Sequence, residues 1–373
     1  MRGTFDSIMR CAIVGSGLAA LATYATLRHG GLQPEEIAVF GTHEDPTEVW
    51  RERAAAIRQR RMRSESDGHL APAAFPGLAV REAVRRGSPL PALRSVANRY
   101  HPNVDDFLAH AEAVCRSSGW ERSFRVQRVE RIRAVERGFT LDGEGPVAHV
   151  LIATGHPGLA RPDAYPRAVH AYEPHEYAAK VAVVGAGMAA ATEWLNALAA
   201  GAEVVSIRRR EPLRRPLNVP RPFFSKRGLA AYHAATNERR AATLRELSTP
   251  SYPEGAGWDE PVRAAEHEGR FRVEASPNGS ESLNGAQVIA ATGFKQGFRH
   301  DPLLTDLVDE HDLPTHDRWI VLAPDSTVAA LTDETRTLSI AGAAAQWAVP
   351  AADTIAGSKY AAHGFRRRAC RTR

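Results

Sequence analysis

The chain has 373 residues, 43% of them apolar and 24% charged, with a net charge of +5. That length suggests two domains, or one large domain carrying an insertion, with a core large enough to need no staples. Only four of the 48 basic residues are lysine, at 180, 226, 295 and 359; such an arginine excess, with no basic stripe interleaved with aromatics, fits coding bias and excludes a nucleic-acid partner from the expectation.

Cys11, Cys115 and Cys370 are far apart and form no C-x-x-C pair, so neither a redox dithiol nor a structural metal site is expected. Cysteine usage of this kind fits a reducing cytoplasm. The first apolar run is broken early by Gly15, Ser16 and Gly17, then by Thr23, Tyr24 and Thr26. It reads as strand, turn and helix rather than a signal peptide or a membrane span, and no membrane partner is expected.

In chain order, Cys11 to Val14 is a short apolar run of the kind a strand buried on both faces requires. Gly15-Ser16-Gly17-Leu18-Ala19-Ala20 follows, then a helical stretch to about Arg28 and a second strand over Ile37 to Phe40. This is the order of a dinucleotide-binding βαβ unit. Gly15 permits the tight turn and Gly17 lets the backbone approach a pyrophosphate. Ala20 is the third small position, where helix and strand pack closely. The helix N-terminus then offers N–H groups to the phosphates. An acid after the second strand would hold the adenosine ribose, but Gly41 stands there, with Glu44 and Asp45 arriving late.

The chain repeats the pattern 170 residues later. Val181 to Val184 reads as a strand, and Gly185-Ala186-Gly187-Met188-Ala189-Ala190 as the turn. A helix to about Ala200 and a strand over Glu203 to Ile207 follow. Arg208, Arg209 and Arg210 come directly after that strand, where an acid would select NAD; arginine suits the 2′-phosphate of NADP.

Two further segments complete the pattern, Leu151-Ile152-Ala153-Thr154-Gly155 and Ile289-Ala290-Ala291-Thr292-Gly293-Phe294. With these residues the chain resembles the flavin-containing and N-hydroxylating monooxygenase superfamily, as a compact bacterial FAD/NAD(P)-binding member. The resemblance implies an α/β fold of two Rossmann-like three-layer dinucleotide-binding domains, the NADPH domain inserted into the FAD domain. The FAD domain is expected over 8–165 and 286–373 and the NADPH domain over 166–285. "VHAYEPHEY" resembles the stretch leading into the NADPH strand of these enzymes, with His170 at its histidine. The implied FAD contacts are Gly15, Ser16, Gly17, Ala19, Ala20, Thr154, Gly155 and Gly342. Those implied for NADPH are His170, Gly185, Ala186, Gly187, Met188, Ala189, Ala190, Arg208, Arg209, Thr292 and Gly293. Gly342 stands at the end of a strand near Leu338, where relatives carry Gly-Asp; here Ala343 follows, which leaves a backbone contact. A helix from about Ala351 to Phe365 is expected to aim its N-terminus at the flavin. "RRMRSESDGHLAP" and "RRPLNVPRPFFSKRGLAAYH" also resemble segments of these proteins. Trp50, Arg63, Ser64 and His69 are the candidates for the flavin pocket.

The resemblance implies that NADPH reduces FAD and that the reduced flavin activates O2 as a C4a-hydroperoxide. One oxygen atom then passes to an amine nitrogen or a sulfur of a small molecule, in secondary metabolism and in the cytoplasm, with assembly as a homo-oligomer left open. No catalytic nucleophile is required, and no Ser/His/Asp, Cys/His, H-E-x-x-H or Walker A pattern is present. Two other readings stand beside this one: a flavoprotein reductase that does not oxygenate, and a non-catalytic FAD/NADP-binding module. The segments 85–91 and 248–261 read as surface loops.

Overall fold

The computed structural model describes residues 9–63, 77–97, 100–215, 217–253, 256–275 and 283–370. In chain order the strands are β1 (Cys11–Val14), β2 (Ile37–Gly41), β3 (Phe124–Val126), β4 (Ile132–Val135), β5 (Gly138–Leu141), β6 (Glu144–Val147), β7 (His149–Ile152), β8 (Val169–His170), β9 (Lys180–Val184), β10 (Glu203–Ile207), β11 (Leu213–Arg214), β12 (Ser251–Tyr252), β13 (Phe271–Glu274), β14 (Gln287–Ala290), β15 (Thr315–His316), β16 (Trp319–Ile320) and β17 (Thr337–Ile340). The helices are α1 (Leu18–His29), α2 (Glu48–Ala56), α3 (Leu78–Arg86), α4 (Leu90–Val96), α5 (Val104–Ser118), α6 (Trp120–Ser123), α7 (Met188–Ala199), α8 (Lys226–His233), α9 (Asn237–Leu247), α10 (Ala256–His267), α11 (Pro302–His311) and α12 (Ile355–Ala369).

Two parallel five-stranded sheets organise the chain. The first has the order β17-β7-β1-β2-β3 and the second β13-β10-β9-β14-β8. Strand β1 lies between β2 and β7, with Val14 opposite Phe40 and Ile152. Strand β9 lies between β10 and β14, with Val184 opposite Ile207 and Ala290. The same local pattern thus builds the same local topology twice. All four residues of β1 are buried, as covering both faces of a parallel sheet requires. Every strand of the second sheet falls between β7 and β17 of the first, so the second unit is an insertion. Strand β14 belongs to that second sheet, although it lies beyond the boundary expected at 285.

The inserted segment does not pack only on itself. Val219, Leu229, Tyr232, Ala241 and Leu244, around α8 and α9, share one buried cluster with Trp319 and Trp347 of the returning chain. Three donors close that contact. Tyr232 Oη and Arg240 Nη2 donate to the Trp347 carbonyl, at 3.2 and 2.5 Å, and His233 Nε2 lies 2.6 Å from the Ala348 carbonyl. The Arg240 guanidinium lies 4.4 Å from the Trp347 ring centre and 5.0 Å from that of Tyr232.

Three local expectations differ from the fold. The final helix begins at Ile355, not Ala351, because Thr354 takes the N-cap and its Oγ1 accepts from Gly357 N at 3.1 Å. The 248–261 segment is not a plain connector: it contains β12 and the start of α10, with Pro261 inside the helix. The 85–91 loop shrinks to the turn between α3 and α4.

Candidate functional site

Both glycine turns sit at the carboxyl ends of their central strands, and both are built against an A-T-G segment. Gly15 has φ +115°, and a Cβ there would lie 2.2 Å from the Ala153 carbonyl oxygen. Gly185 has φ +137°, and its Cβ would lie 2.3 Å from the Ala291 carbonyl oxygen. Only glycine combines this backbone with this approach. By contrast, nothing of the protein lies within 4 Å of where a Cβ would stand on Gly17 or Gly187.

The helices that follow are uncapped. Neither α1 nor α7 has a side-chain cap bond or an acid in its first turn. Helices α8, α9, α11 and α12 are capped by Ser225, Thr236, Asp301 and Thr354. Free N–H groups with no competing acid suit an anion.

A cleft of about 1450 Å³ opens over the first turn. Of the residues singled out from the sequence, Gly15, Ser16, Gly17, Ala19, Trp50, Arg63, Thr154, Gly155, Met188 and Gly342 line it. Ala20 is fully buried behind it, in the helix–strand contact expected of the third small position. Asp353, Thr354 and Ile355 bring the start of α12 to the same cleft. Trp50 packs edge-on against Phe107, ring centres 5.0 Å apart. Ser64 and His69 lie outside the described residues.

A smaller chamber of about 210 Å³ adjoins the cleft and shares Arg63, Met188, Asn218 and Asp353 with it. Its other walls are Gly187 from the second turn, Leu244, Leu247 and Ser248 from the end of α9, and Gln346 and Pro350 from the returning chain. The second glycine turn therefore lines a chamber that shares walls with the cleft over the first. Arg63 does not reach into open space with its guanidinium. It donates to Ser251 O, Ser251 Oγ and Arg215 O, at 2.9, 3.0 and 3.2 Å, and so ties the two units together.

Several NADPH candidates line neither cavity. Ala186, Ala189 and Ala190 are buried, Ala190 at the third small position as Ala20 is in the first unit. His170 is fully buried and lines neither cavity: Nε2 lies 3.1 Å from Gly293 O, and Nδ1 accepts from Tyr172 N at 3.2 Å. It fixes the crossover instead of facing a ligand. Thr292 Oγ1 donates to Ala160 O, and Ala160 N donates to Gly293 O at 2.9 Å. Lys295 N returns a bond to Gly158 O at 2.9 Å, so the two crossovers run paired. The Arg208 side chain is only 12% exposed; it lies over Trp194 and pairs with Glu211 at 2.7 Å. Arg209 and Arg210 are exposed.

The sequence does not show which residues meet at the crossovers. Phe294 stacks on His156 at 4.1 Å and on Tyr172 at 5.2 Å, and Arg53 covers it at 4.7 Å. Burial, with Arg53 adding to it, lowers His156 to about 4, so the ring is neutral near pH 7. Thr154 Oγ1 donates to Asp301 Oδ2 at 2.6 Å, joining the first A-T-G to α11. Only the residue after A-T-G, His156 or Phe294, was a usable signal, and its partners are distant in sequence. No cysteine lines the cleft. Burial raises the Cys11 thiol far above its ordinary value and Cys115 to about 11. Among the described residues no His/Cys/Asp/Glu group could hold a metal, and no helix is long and apolar enough to cross a membrane.

No family model matches the sequence, and no curated protein does. Solved structures do match the fold. The cadaverine monooxygenase DfoA from Erwinia amylovora superimposes with a TM-score of 0.71 at 11% identity, over 98% of this chain and 95% of that one. An ornithine hydroxylase from Pseudomonas aeruginosa gives 0.68 at 16% identity, over 96% and 99%. A bacillithiol disulfide reductase from Bacillus cereus gives 0.59 at 15% identity, over 97% and 99%. The fold is that of the flavoproteins with two dinucleotide-binding domains, to which the flavin-dependent N-hydroxylating monooxygenases belong.

Proposed function

We propose that this chain is an FAD- and NADPH-dependent monooxygenase of the N-hydroxylating kind, acting on the nitrogen of a small amine. The observation that carries the reading is the pair of glycine turns, each leading into an uncapped helix and lining one of two cavities that share four wall residues. The neighbours described as hydroxylases of ornithine and a monooxygenase of cadaverine support the amine. The flavin unit comprises 8–165 and the chain after the crossover at about 293; the nicotinamide unit lies between them.

The residues present fit FAD in the first crevice. Gly15 to Ala19 would cradle its pyrophosphate, Thr154 and Gly155 would close over it, and the start of α12 would face the ring. Gly185 to Met188 would cradle the pyrophosphate of NADPH, and Arg209, exposed beyond β10, would meet its 2′-phosphate. When bound, the pair supplies two electrons that activate O2 for transfer of one oxygen atom to the amine. The protein's own task is to position and to exclude water. The Phe294 stack closes the crossover side, and the Arg240 clamp on Trp347 holds the chamber's walls in register. Arg63 fastens the chamber between the units. Asn218, Gln296 and Gln346 line that chamber and offer neutral amides to an incoming amine.

The likeness to a disulfide reductase favours a second reading, in which electrons leave the flavin for a disulfide. A disulfide substrate would find no thiol of this chain at the cleft to relay them. The two readings separate on incubation of flavin-loaded protein with NADPH, ¹⁸O₂ and a panel of aliphatic amines and low-molecular-weight disulfides. A hydroxylamine carrying one labelled oxygen is the expected product. NADPH consumed only with a disulfide, or consumed with all oxygen recovered as peroxide for every amine, would overturn the monooxygenase reading.

A further inference from the structure

The position that holds the adenosine ribose in such folds carries no acid here, and the structure gives the reason. A Cβ on Gly41 would stand 2.2 Å from Ser16 Oγ, so the serine in the middle of the first glycine turn fills the space an acid would need. Of the two acids that follow, Asp45 lines the cleft but its carboxylate is already engaged. Asp45 Oδ1 accepts from Thr47 N and Oγ1, at 2.8 and 2.7 Å, and Oδ2 pairs with Arg51. The Glu44 side chain is exposed and does not line the cleft. His43 does line it. Its backbone N–H reaches Ser16 Oγ at 3.4 Å, and its Nδ1 lies 2.7 Å from Glu48 Oε1. A carboxylate can only accept, so Nδ1 carries the proton; in the neutral ring Nε2 is then an acceptor.

We propose that His43, oriented by Glu48, accepts the hydrogen bond of the adenosine ribose in place of the missing carboxylate. The inference rests on the reading that the first crevice holds FAD. Three features support it together: the position just past the end of β2, the fixed tautomer, and the exclusion of an acid by Ser16. The bound class is thus a nucleoside with a free ribose diol. FMN, which lacks the adenosine, gains nothing from His43.

The test is flavin binding to the apoprotein, followed by quenching of flavin fluorescence, with FAD, FAD bearing a 2′-deoxyadenosine, and FMN. Wild-type protein is expected to bind FAD roughly tenfold more tightly than the deoxy analogue, the size of one hydrogen bond. His43→Phe is expected to bind both equally, with FMN affinity unchanged. Glu48→Ala, which releases the imidazole from its fixed orientation while leaving it in place, is expected to weaken the preference. Equal wild-type affinity for FAD and the analogue would overturn the inference. So would a preference that survives in His43→Phe, which would assign the ribose to another group such as Thr42. Wild-type protein that binds no flavin would overturn the reading of the crevice itself, and the inference with it.

Discussion

A methyl group added at Gly15 would meet the Ala153 carbonyl, and one added at Gly185 would meet that of Ala291. Each change combines a strained φ with a contact that backbone must yield, at roughly 2–4 kcal/mol. The two should nonetheless differ in what they remove. Gly15→Ala should purify with little flavin. Gly185→Ala should keep its flavin and lose at least tenfold in the rate of reduction by NADPH, measured by anaerobic stopped flow. At the end of β10, Arg208 is spent on Trp194 and Glu211, which leaves Arg209 as the better-placed cation for a 2′-phosphate. Arg209→Ala should raise KM for NADPH about tenfold and leave that for NADH unchanged. Equal effects on the two nucleotides would remove Arg209 from that role.

Among the elements, α8 and α9 set the relation of the two units, because the inserted segment buries its apolar face in the core of the first. Arg240→Met keeps the stem but removes the donor to Trp347 O and the cation over two rings. A cost of about 2–3 kcal/mol is expected in urea unfolding, together with more NADPH oxidised per product formed. Loss of stability with unchanged coupling would make the clamp merely structural. These contacts mark the limit of what the sequence conveys. The two βαβ units were legible because strand, turn and helix are neighbours in the chain and each carries its own period. Strand β10 was placed to the residue and the ends of α1 and α7 within one, while both helices start three residues earlier than the sequence reading put them. The Phe294 stack, the Arg240 clamp and the Arg63 tether join residues more than 100 apart, and nothing local encodes them. His170 was legible as a residue of the crossover, but its pairing with Gly293, which turns it from ligand to strut, was not. The antiparallel β4-β5-β6 sheet was missed because β4 (IRAV) and β6 (EGPV) are only partly buried and lack the continuous apolar run that marks β1.

For the molecule as a whole, histidines contribute to the acid limit: buried His149 and half-buried His156 are the most strongly lowered, beside His101, His170, His233 and His363. His149 and His156 are both lowered to about 4, by burial first and by Arg10 and Arg53 second. Both rings are neutral in the fold. Below about pH 6.5 the unfolded chain takes up protons that the fold refuses until about pH 4, so stability falls as pH falls through this window. Each ring should cost up to roughly 2 kcal/mol by the lower end. Urea midpoints at pH 7.5 and 4.5 measure this, and His149→Leu should reduce the difference between them. An unchanged difference would assign the acid sensitivity to other groups.

The two crevices matter only if their ligands exchange electrons. Anaerobic titration of the flavin-loaded protein with NADPH, followed through the flavin absorbance, tests this most directly. Complete bleaching by one equivalent, faster with NADPH than with NADH, is the result the account predicts. A chain that purifies without flavin and binds none, or bound flavin that stays oxidised in excess NADPH, would contradict it.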